Sequence, residues 1–323
     1  MFDVFDITNS ASFEQKALEL YRLHADQNPV YKSYLYHLNR HNVSVQSLKD
    51  IPFLPISFFK THKILLEGHM PKRQFLSSGT TLQLRSVHHL VSEDLYIESF
   101  MRGFNHFFGS IEDYVILALL PSYLRQGQSS LVYMANHWIK QSKHPESGFY
   151  LDDYQALVET LTSLERRGQK SLLLGVSYAL LDLIDYQRMR LNHTLVMETG
   201  GMKGRRRELI KKDLHNLLKE GFGVSTIYSE YGMTELLSQA YSQGTERYKT
   251  VPWMKVLIRE VEDPFCYLPT GKSGGINIID LANYYSCPFI ETQDLGKCHP
   301  DNSFEVLGRF DFSDIRGCNL MIT

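Results

Sequence analysis

Two short segments, far apart in the chain, carry residue types that suit the binding of phosphate and nucleoside groups. The first is a loop of small, mostly hydroxyl-bearing residues, namely Ser77, Ser78, Gly79, Thr80 and Thr81. Because its central glycine can adopt backbone angles closed to other residues, the N–H groups and hydroxyls of this loop can converge on an anion. Taken alone, the loop is explained equally well as a surface turn.

The second segment runs from Tyr231 through Gly232 to Glu235 and follows a run that is typical of a strand. Tyr231 can stack on a base, Thr234 can bond a phosphate oxygen, and Glu235 can hold Mg²⁺. The alternative interpretation makes Thr234 the N-cap of a helix over residues 236–241 and Glu235 a favourable first-turn acid. Together the two segments indicate an enzyme that uses a nucleotide to activate a carboxylate.

Further positions fit the same chemistry. Asp294 lies in a Thr-x-Asp context, and Arg309 follows Gly308. A carboxylate that accepts both ribose hydroxyls, with an arginine close by, is suited to hold a nucleoside. Gly200 and Gly201 follow a predicted strand, and ligands of parallel sheets bind outside the carboxyl ends of the strands. We therefore expect this glycine pair beside the Tyr231 segment.

Composition limits the class of protein. The chain has 323 residues, of which 43% are hydrophobic and 22% charged, and its net charge is −2. These values are ordinary for a globular protein and give no general attraction to nucleic acid. No apolar run approaches the roughly 20 residues that span a bilayer, and no basic region precedes an apolar stretch at the N-terminus. We expect a cytoplasmic protein with no nucleic-acid partner and no membrane span.

The four cysteines form no C-x-x-C pair, so a disulfide scaffold is not expected. A zinc site built from Cys287, Cys298 and His299 has a spacing that fits no zinc pattern.

Strand-like and helix-like segments alternate between about residue 114 and residue 230, which predicts an α/β fold with a largely parallel sheet. After about residue 250, short strands separated by glycine and proline turns predict a small β-rich subdomain. We expect an α/β nucleotide- and acyl-binding core over residues 1–250 and the β-rich subdomain, with a short tail, over residues 251–323.

The motif order resembles that of a known superfamily. Ser-Ser-Gly-Thr-Thr, Gly-Gly, Tyr-Gly-Met-Thr-Glu, Thr-x-Asp and Gly-Arg succeed one another as in the adenylate-forming enzymes, which comprise acyl- and aryl-CoA ligases, adenylation domains and firefly-type luciferases. Within it, the chain most resembles the acyl-protein synthetases of the bacterial luminescence fatty acid reductase complex, through residues 52–60, 231–241, 252–259 and 316–320. The likeness extends over most of the chain. Each motif by itself is unspecific, and only the succession of all five is specific for the superfamily.

The resemblance implies a fold and a reaction. The fold would be the N-terminal core of an adenylate-forming enzyme, with mostly parallel sheets flanked by helices. ATP and Mg²⁺ would bind between the Ser77–Thr81 loop and the Tyr231–Glu235 loop, with Thr234 and Glu235 acting in catalysis and Glu235 as the metal ligand. The substrate would be a carboxylic acid, either fatty or aryl.

Two departures from the superfamily pattern matter. Arg85 stands near the place where many relatives have a lysine after the phosphate loop, and it is a candidate for that positive charge. The chain ends at Thr323, soon after Arg309, whereas most of the superfamily continues into a mobile lid domain with a lysine that stabilises the transition state. The resemblance thus implies that the lid is missing here, with Lys297 as a candidate substitute.

Cys318 lies near the end of the chain, beside Arg316, which can lower the pKa of a thiol and enrich the thiolate. The resembled synthetases carry their acyl group on a cysteine near the C-terminus, so Cys318 is expected to be acylated and to pass the group to a partner protein. The alternatives are a buried structural cysteine, a ligase that uses coenzyme A directly, and a weakly active scaffold that binds nucleotide.

Other residues are given a structural interpretation. We expect His88 and His89 to form a solvated pair. The basic run Arg205–Arg207 with Lys211 and Lys212 shares its helix with acidic residues, so a solvated face is expected. Four phenylalanines at helical spacing, which could line an acyl pocket, are expected to pack in the core: Phe100, Phe104, Phe107 and Phe108.

Overall fold

A computed structural model describes residues 3–77, 84–121, 128–200 and 209–309. The helices in these ranges are α1 (Ser10–Gln27), α2 (Pro29–His37), α3 (Phe58–Thr61), α4 (Glu93–Phe108), α5 (Ser130–Ser142), α6 (Tyr154–Arg167), α7 (Ser177–Tyr186) and α8 (Lys211–Phe222). Short 3₁₀ turns cover Leu48–Asp50 and Ile111–Asp113. None of the helices in the described parts of the chain is long and apolar enough to cross a membrane.

The strands are β1 (Leu54–Pro55), β2 (Arg73–Leu76), β3 (Val87–Leu90), β4 (Val115–Leu119), β5 (Gly148–Phe149), β6 (Ser171–Val176), β7 (Thr194–Thr199), β8 (Tyr228–Tyr231), β9 (Ala240–Gln243), β10 (Arg247–Thr250), β11 (Met254–Arg259), β12 (Ser273–Asp280), β13 (Phe289–Cys298) and β14 (Phe304–Arg309). Within the described residues, β2 and β3 form a separate antiparallel hairpin, and the other strands join in one sheet of twelve. Its order is β11-β12-β13-β14-β10-β9-β8-β7-β6-β4-β5, with β1 paired to β13.

The half of the sheet formed by β8, β7, β6, β4 and β5 is parallel. Every residue of β4 and β6 is buried, as expected for strands covered by helices on both faces. Helix α4 covers one face, where Phe100 and Phe104 are fully buried against Trp138. The core interpretation of these two phenylalanines is therefore confirmed, as is the α/β fold class.

The other half of the sheet is antiparallel, and β9 marks the change of direction because it pairs antiparallel with β8. The helix expected over residues 236–241 is absent. Instead the chain turns after Glu235 and enters β9 at Ala240. The physical reason lies in β12, where the buried carboxylate of Asp280 accepts the N–H groups of Leu237 and Ser238 at 2.8 and 2.9 Å. Tertiary hydrogen bonds thus override an apolar spacing that suits a helix.

A close approach of two strands explains one glycine. A Cβ atom on Gly274 would lie closer than van der Waals contact to the carbonyl oxygen of Arg259 on β11, and 2.7 Å from Cδ1 of Leu268. Because the first obstacle is backbone, neither strand can yield without breaking the pairing. We predict that Gly274→Ala lowers the free energy of unfolding by about 1–3 kcal/mol, measured by urea denaturation.

The matched control for this prediction is Gly148→Ala, because no atom lies within 4 Å of a Cβ placed there. The control should unfold at the denaturant midpoint of the wild type. Equal midpoints for both variants would mean that the strands are not held as closely as described.

Candidate functional site

Ser86 lies between Ser77, at the base of the Ser77–Thr81 loop, and Glu235. Ser77 and Ser86, at the two ends of the β2–β3 connection, exchange hydrogen bonds of 3.1 and 2.9 Å. The hydroxyl of Ser86 in turn lies close enough to the carboxyl group of Glu235 to oppose the rise of its pKa. The structure therefore brings Ser77, at the start of the first segment, close to Glu235, at the end of the second. Ser78, Gly79, Thr80 and Thr81 lie outside the described residues.

A second link connects Tyr231 to the far end of the chain. The hydroxyl of Tyr231 donates a hydrogen bond of 2.7 Å to Asp294, and Nε of Arg309 lies 3.4 Å from the same carboxylate. Burial raises the pKa of Asp294, although Tyr231 and Arg309 oppose the rise. The Tyr231 ring also packs against Tyr248 and Phe304, with ring centroids 5.7 and 5.5 Å apart. The three predicted nucleoside-binding residues therefore lie in one group of contacting side chains, namely Tyr231, Asp294 and Arg309.

Side chains from two other elements hold the backbone of the Tyr231–Glu235 loop. Nδ1 of His88 lies 2.7 Å from the carbonyl oxygen of Thr234, and the amide of Asn283 donates to the carbonyl oxygen of Glu235 at 2.8 Å. Since a carbonyl oxygen only accepts, Nδ1 of His88 must carry the proton. These contacts fix the direction in which the side chains of Thr234 and Glu235 leave the loop.

The expectation that His88 belongs to a solvated pair is wrong. His88 is 1% exposed, and burial lowers its pKa to about 4, so the imidazole is neutral at pH 7. Alternation along β3 explains the difference, because successive side chains of a strand point to opposite faces. His88 faces the protein interior, whereas His89 is only partly buried.

The carboxyl group of Glu235 is nearly inaccessible, and burial raises its pKa against the opposing effects of Ser86 and Arg309. In the described ranges, no three His, Cys, Asp or Glu side chains are close enough to hold a resident metal ion. Mg²⁺ is commonly bound by one or two carboxylates together with substrate phosphates and water. The assignment of Glu235 as a ligand of Mg²⁺ stays a prediction.

Glu198 on β7 lies on the same side of the sheet as Tyr231. Nζ of Lys211 is 3.3 Å and Nε2 of His215 is 3.6 Å from the Glu198 carboxylate. Burial acts to raise the pKa of Glu198, but Lys211 and His215 outweigh it and hold the pKa at about 2. The Lys211 ammonium also lies 3.9 Å from the centroid of the Tyr248 ring. The expected solvated face is thus wrong for Lys211, which is mostly buried.

Glu230 lies on the opposite side of the sheet. The hydroxyl of Thr199 donates a short hydrogen bond to its carboxyl group, and burial raises the pKa of Glu230 to about 7. A Cβ on Gly232 would collide with Oε1 of Glu230. Glycine at position 232 therefore leaves room for this carboxyl group.

The remaining predicted residues are placed as follows. Gly200 follows β7 directly with a φ of 71°, and its carbonyl oxygen accepts a hydrogen bond of 2.6 Å from Ser177. β7 is paired with β8, so Gly200 lies at the same edge of the sheet as Gly232. Gly201 and Cys318 lie outside the described residues. Nζ of Lys297 lies 3.4 Å from the carboxylate of Glu305, with which it forms an ion pair.

Sequence reasoning missed several residues of this region, namely Ser86, Glu198, Glu230, Asp280 and Asn283. All are buried polar residues. Only Glu230 had a local signal, since it immediately precedes Tyr231. The others are joined to the site by contacts between distant parts of the chain.

No family profile and no curated protein sequence matches this chain, but solved structures share its fold. The ATP-bound MatB of Rhodopseudomonas palustris aligns with 18% identity and a TM-score of 0.56, over 73% of this chain and 47% of MatB. An open conformation of 2-hydroxyisobutyryl-CoA ligase, in complex with 2-HIB-AMP and CoA, aligns with 10% identity and a TM-score of 0.63, over 97% of this chain and 76% of the ligase.

The O-succinylbenzoate coenzyme A synthetase MenE of Bacillus subtilis, in complex with ATP and magnesium, aligns with 15% identity and a TM-score of 0.50, over 73% of this chain and 49% of MenE. The chain spans about half the length of MatB and MenE. The fold of this chain is therefore shared with these solved ligase structures.

The burial of Glu230 predicts a specific pH dependence of stability. Between its ordinary pKa of 4.5 and the folded-state pKa of about 7, the folded chain keeps a proton that the unfolded chain releases, so Glu230 reduces stability as the pH rises. We predict that the stability difference between Glu230→Gln and the wild type changes with pH. The free energy of unfolding of the variant, relative to that of the wild type, should be about 3 kcal/mol higher at about pH 8 than at about pH 4.5. Urea denaturation at both pH values measures the difference.

The control is Glu159→Gln, which changes an exposed carboxylate on α6. Its stability should follow the wild type at both pH values. A Glu230→Gln difference that does not vary with pH would contradict the raised pKa.

Proposed function

We propose that this chain is an ATP-dependent ligase that converts a carboxylic acid, fatty or aryl, into an acyl adenylate and passes the acyl group to a thiol. The main support is the meeting of remote motifs at one edge of the sheet. Ser86 is hydrogen-bonded to Ser77 and lies beside Glu235, and Asp294 joins Tyr231 to Arg309. These contacts occur in the fold of enzymes that make acyl adenylates.

In this proposal ATP lies across the ends of β7 and β8. Ser77, Ser78, Gly79, Thr80 and Thr81 bind the phosphates, and Thr234 bonds a phosphate oxygen. Tyr231 stacks on the adenine, next to Gly200, Gly201 and Gly232, while Asp294 and Arg309 hold the ribose. Mg²⁺, held by Glu235 and the phosphates, would neutralise charge on the reacting phosphate.

The first reaction is a displacement at phosphorus. An oxygen of the substrate carboxylate attacks the α-phosphorus of ATP, the bond from that phosphorus to the bridging oxygen of the β-phosphate breaks, and pyrophosphate leaves. Thr234 and the predicted phosphate loop act mainly by positioning the reactants. His88 and Asn283 support this step indirectly, because they fix the backbone carbonyls of Thr234 and Glu235.

In the second reaction a thiolate attacks the acyl carbon of the mixed anhydride. The bond to the AMP oxygen breaks, AMP leaves with the electron pair, and a thioester remains. We propose Cys318 as this thiol, as in the acyl-protein synthetases that the sequence resembles, with onward transfer to an acceptor protein. The second candidate is direct transfer to coenzyme A, which the names of the ligases sharing this fold favour.

Acid-dependent exchange of pyrophosphate into ATP tests the first reaction. The wild type should catalyse exchange only when a suitable carboxylic acid is present. Asp294→Asn removes the charge that holds Tyr231 and Arg309, so we predict a KM for ATP raised about 10- to 100-fold, with a smaller effect on kcat. Asp113→Asn, at an exposed carboxylate far from the motifs, is the matched control. An unchanged KM in Asp294→Asn would remove Asp294 from nucleotide binding.

Intact-mass analysis after incubation with ATP, Mg²⁺ and a mixture of fatty and aryl acids tests the second reaction. We expect a mass gain equal to one acyl group, which hydroxylamine removes and which Cys318→Ala lacks. Cys266→Ala is the control, because Cys266 is a partly exposed thiol outside the motifs. Absence of the adduct, with full thioester synthesis on added coenzyme A by Cys318→Ala, would favour the coenzyme A ligase.

A further inference from the structure

An acceptor-rich polar cluster lies on the face of the sheet opposite to Tyr231. It consists of Glu230, Thr199, Gln239 and Tyr241, all less than 9% exposed. Glu230 and Tyr241 are directly opposed in the β8–β9 pairing, so their side chains leave the sheet on the same face. Thr199 is opposite Glu230 on the other neighbour, β7. Three adjacent strands thus contribute to one cluster.

The cluster has unused hydrogen-bonding capacity. The hydroxyl of Tyr241 and Oε1 of Gln239 are buried and have no hydrogen-bond partner among the described residues. Cγ of Gln239 lies 3.4 Å from the Cβ position of Gly232, which is also where Oε1 of Glu230 projects. Leaving a buried polar group unpaired costs about 1–3 kcal/mol. Two such groups beside a buried carboxyl group would therefore destabilise a core that had only a structural role.

Glu230 also differs from Glu198, the other buried carboxylate at these strand ends. Glu198 is paired with Lys211 and His215. For Glu230, the described residues provide the hydroxyl of Thr199 but no ion-pair partner. Helix α4 on this face contributes mainly aromatic side chains, among them Tyr96, Phe107 and Phe108. A polar group in these surroundings suits recognition of a ligand group that water would otherwise solvate.

The cluster is close to the surface at the strand ends. Gly232 and Gly200, which follow Glu230 and Thr199 by two and one residues, are both exposed. Any larger residue at position 232 would meet the Glu230 carboxyl group, which is itself only 7% exposed. The buried cluster thus lies just beneath the strand ends at which the nucleotide is proposed to bind.

We propose that the acid bound by this chain carries a hydrogen-bond-donating substituent, a hydroxyl or an amino group, which Glu230, Gln239 and Tyr241 hold. This inference rests on the proposed function and narrows its substrate class. The oxygens of the three side chains can accept hydrogen bonds from the substituent, and the Tyr241 hydroxyl can also donate to a substrate hydroxyl. An unsubstituted alkyl or aryl group would leave these oxygens unpaired.

The test compares matched acids in the pyrophosphate exchange assay. Each unsubstituted alkanoic or benzoic acid is paired with its hydroxy and amino derivatives of the same skeleton. For the wild type we expect kcat/KM at least about tenfold higher for a donor-bearing acid than for its unsubstituted partner. Glu230→Gln and Tyr241→Phe should reduce this preference to about threefold or less through KM. The hydroxy and amino series distinguish the two donors.

A folding defect should not account for the loss of preference in Tyr241→Phe. The substitution removes a hydroxyl that has no partner in the described structure, so stability should be unchanged or higher. Glu159→Gln on α6 is the control for the glutamate change. A wild type that uses unsubstituted acids as well as their derivatives would overturn the proposal. Variants that retain the wild-type preference would do the same.

If no acid supports exchange, the ligase proposal fails and the cluster is tested by binding alone. Calorimetric titration with the same matched acids then replaces exchange. Binding of donor-bearing acids that Glu230→Gln abolishes would support the cluster as a ligand site. Equal binding of matched acids, or no binding of any, would overturn it.

Discussion

The arrangement of the site depends on a single buried carboxylate on β12. Asp280 is fully buried and accepts hydrogen bonds from the N–H groups of Leu237, Ser238 and Ala282 and from the hydroxyl of Ser238. A buried carboxylate without such donors would cost several kcal/mol. Because three of these four donors come from the segment after Glu235, the carboxylate and that segment stabilise each other.

This contact joins the two halves of the sheet. Tyr231 lies at the end of a strand in the parallel half, whereas Asp280, Asn283 and Asp294 belong to the antiparallel half and its connections. Trp253, from the start of β11, donates to Ser238 and strengthens the same junction. Without the junction, Glu235 would leave the loop in an undefined direction, and Asp294 would not meet Tyr231.

Because successive side chains of a strand point to opposite faces, the polar side chains of β8 lie on both faces of the sheet. Ser229 contacts His215 of helix α8 and Tyr231 shares that face, whereas Glu230 faces Tyr96 of α4. A shift of the pairing by one residue would exchange the two faces. Gly232 permits the Glu230 carboxyl group to lie against the backbone, so the order Glu-Tyr-Gly has a geometric basis beyond its place in the motif.

The sequence allowed the α/β alternation, the buried strands β4 and β6, and the grouping of Tyr231, Asp294 and Arg309 to be predicted, because each has a local pattern or a motif order. It did not allow β9 to be predicted, since the apolar residues 236–241 suit a helix until Asp280 takes their N–H groups. Lys211 and His88 were misjudged for a related reason. Their partners, Glu198 and the carbonyl of Thr234, lie in other elements, and only the fold brings them together.

The charges of the described site indicate how a nucleotide would be accommodated. Glu235 and Asp294 are acidic, while Arg309 has a side chain that is 72% exposed, so its ion pair contributes at most about 1 kcal/mol. Asp294 is therefore held mainly by Tyr231. A polyphosphate needs positive partners that these residues do not supply, and a divalent cation with loop N–H groups can supply them. Burial raises the pKa of Glu235, and a cation bound there, as proposed, would favour the ionised carboxylate.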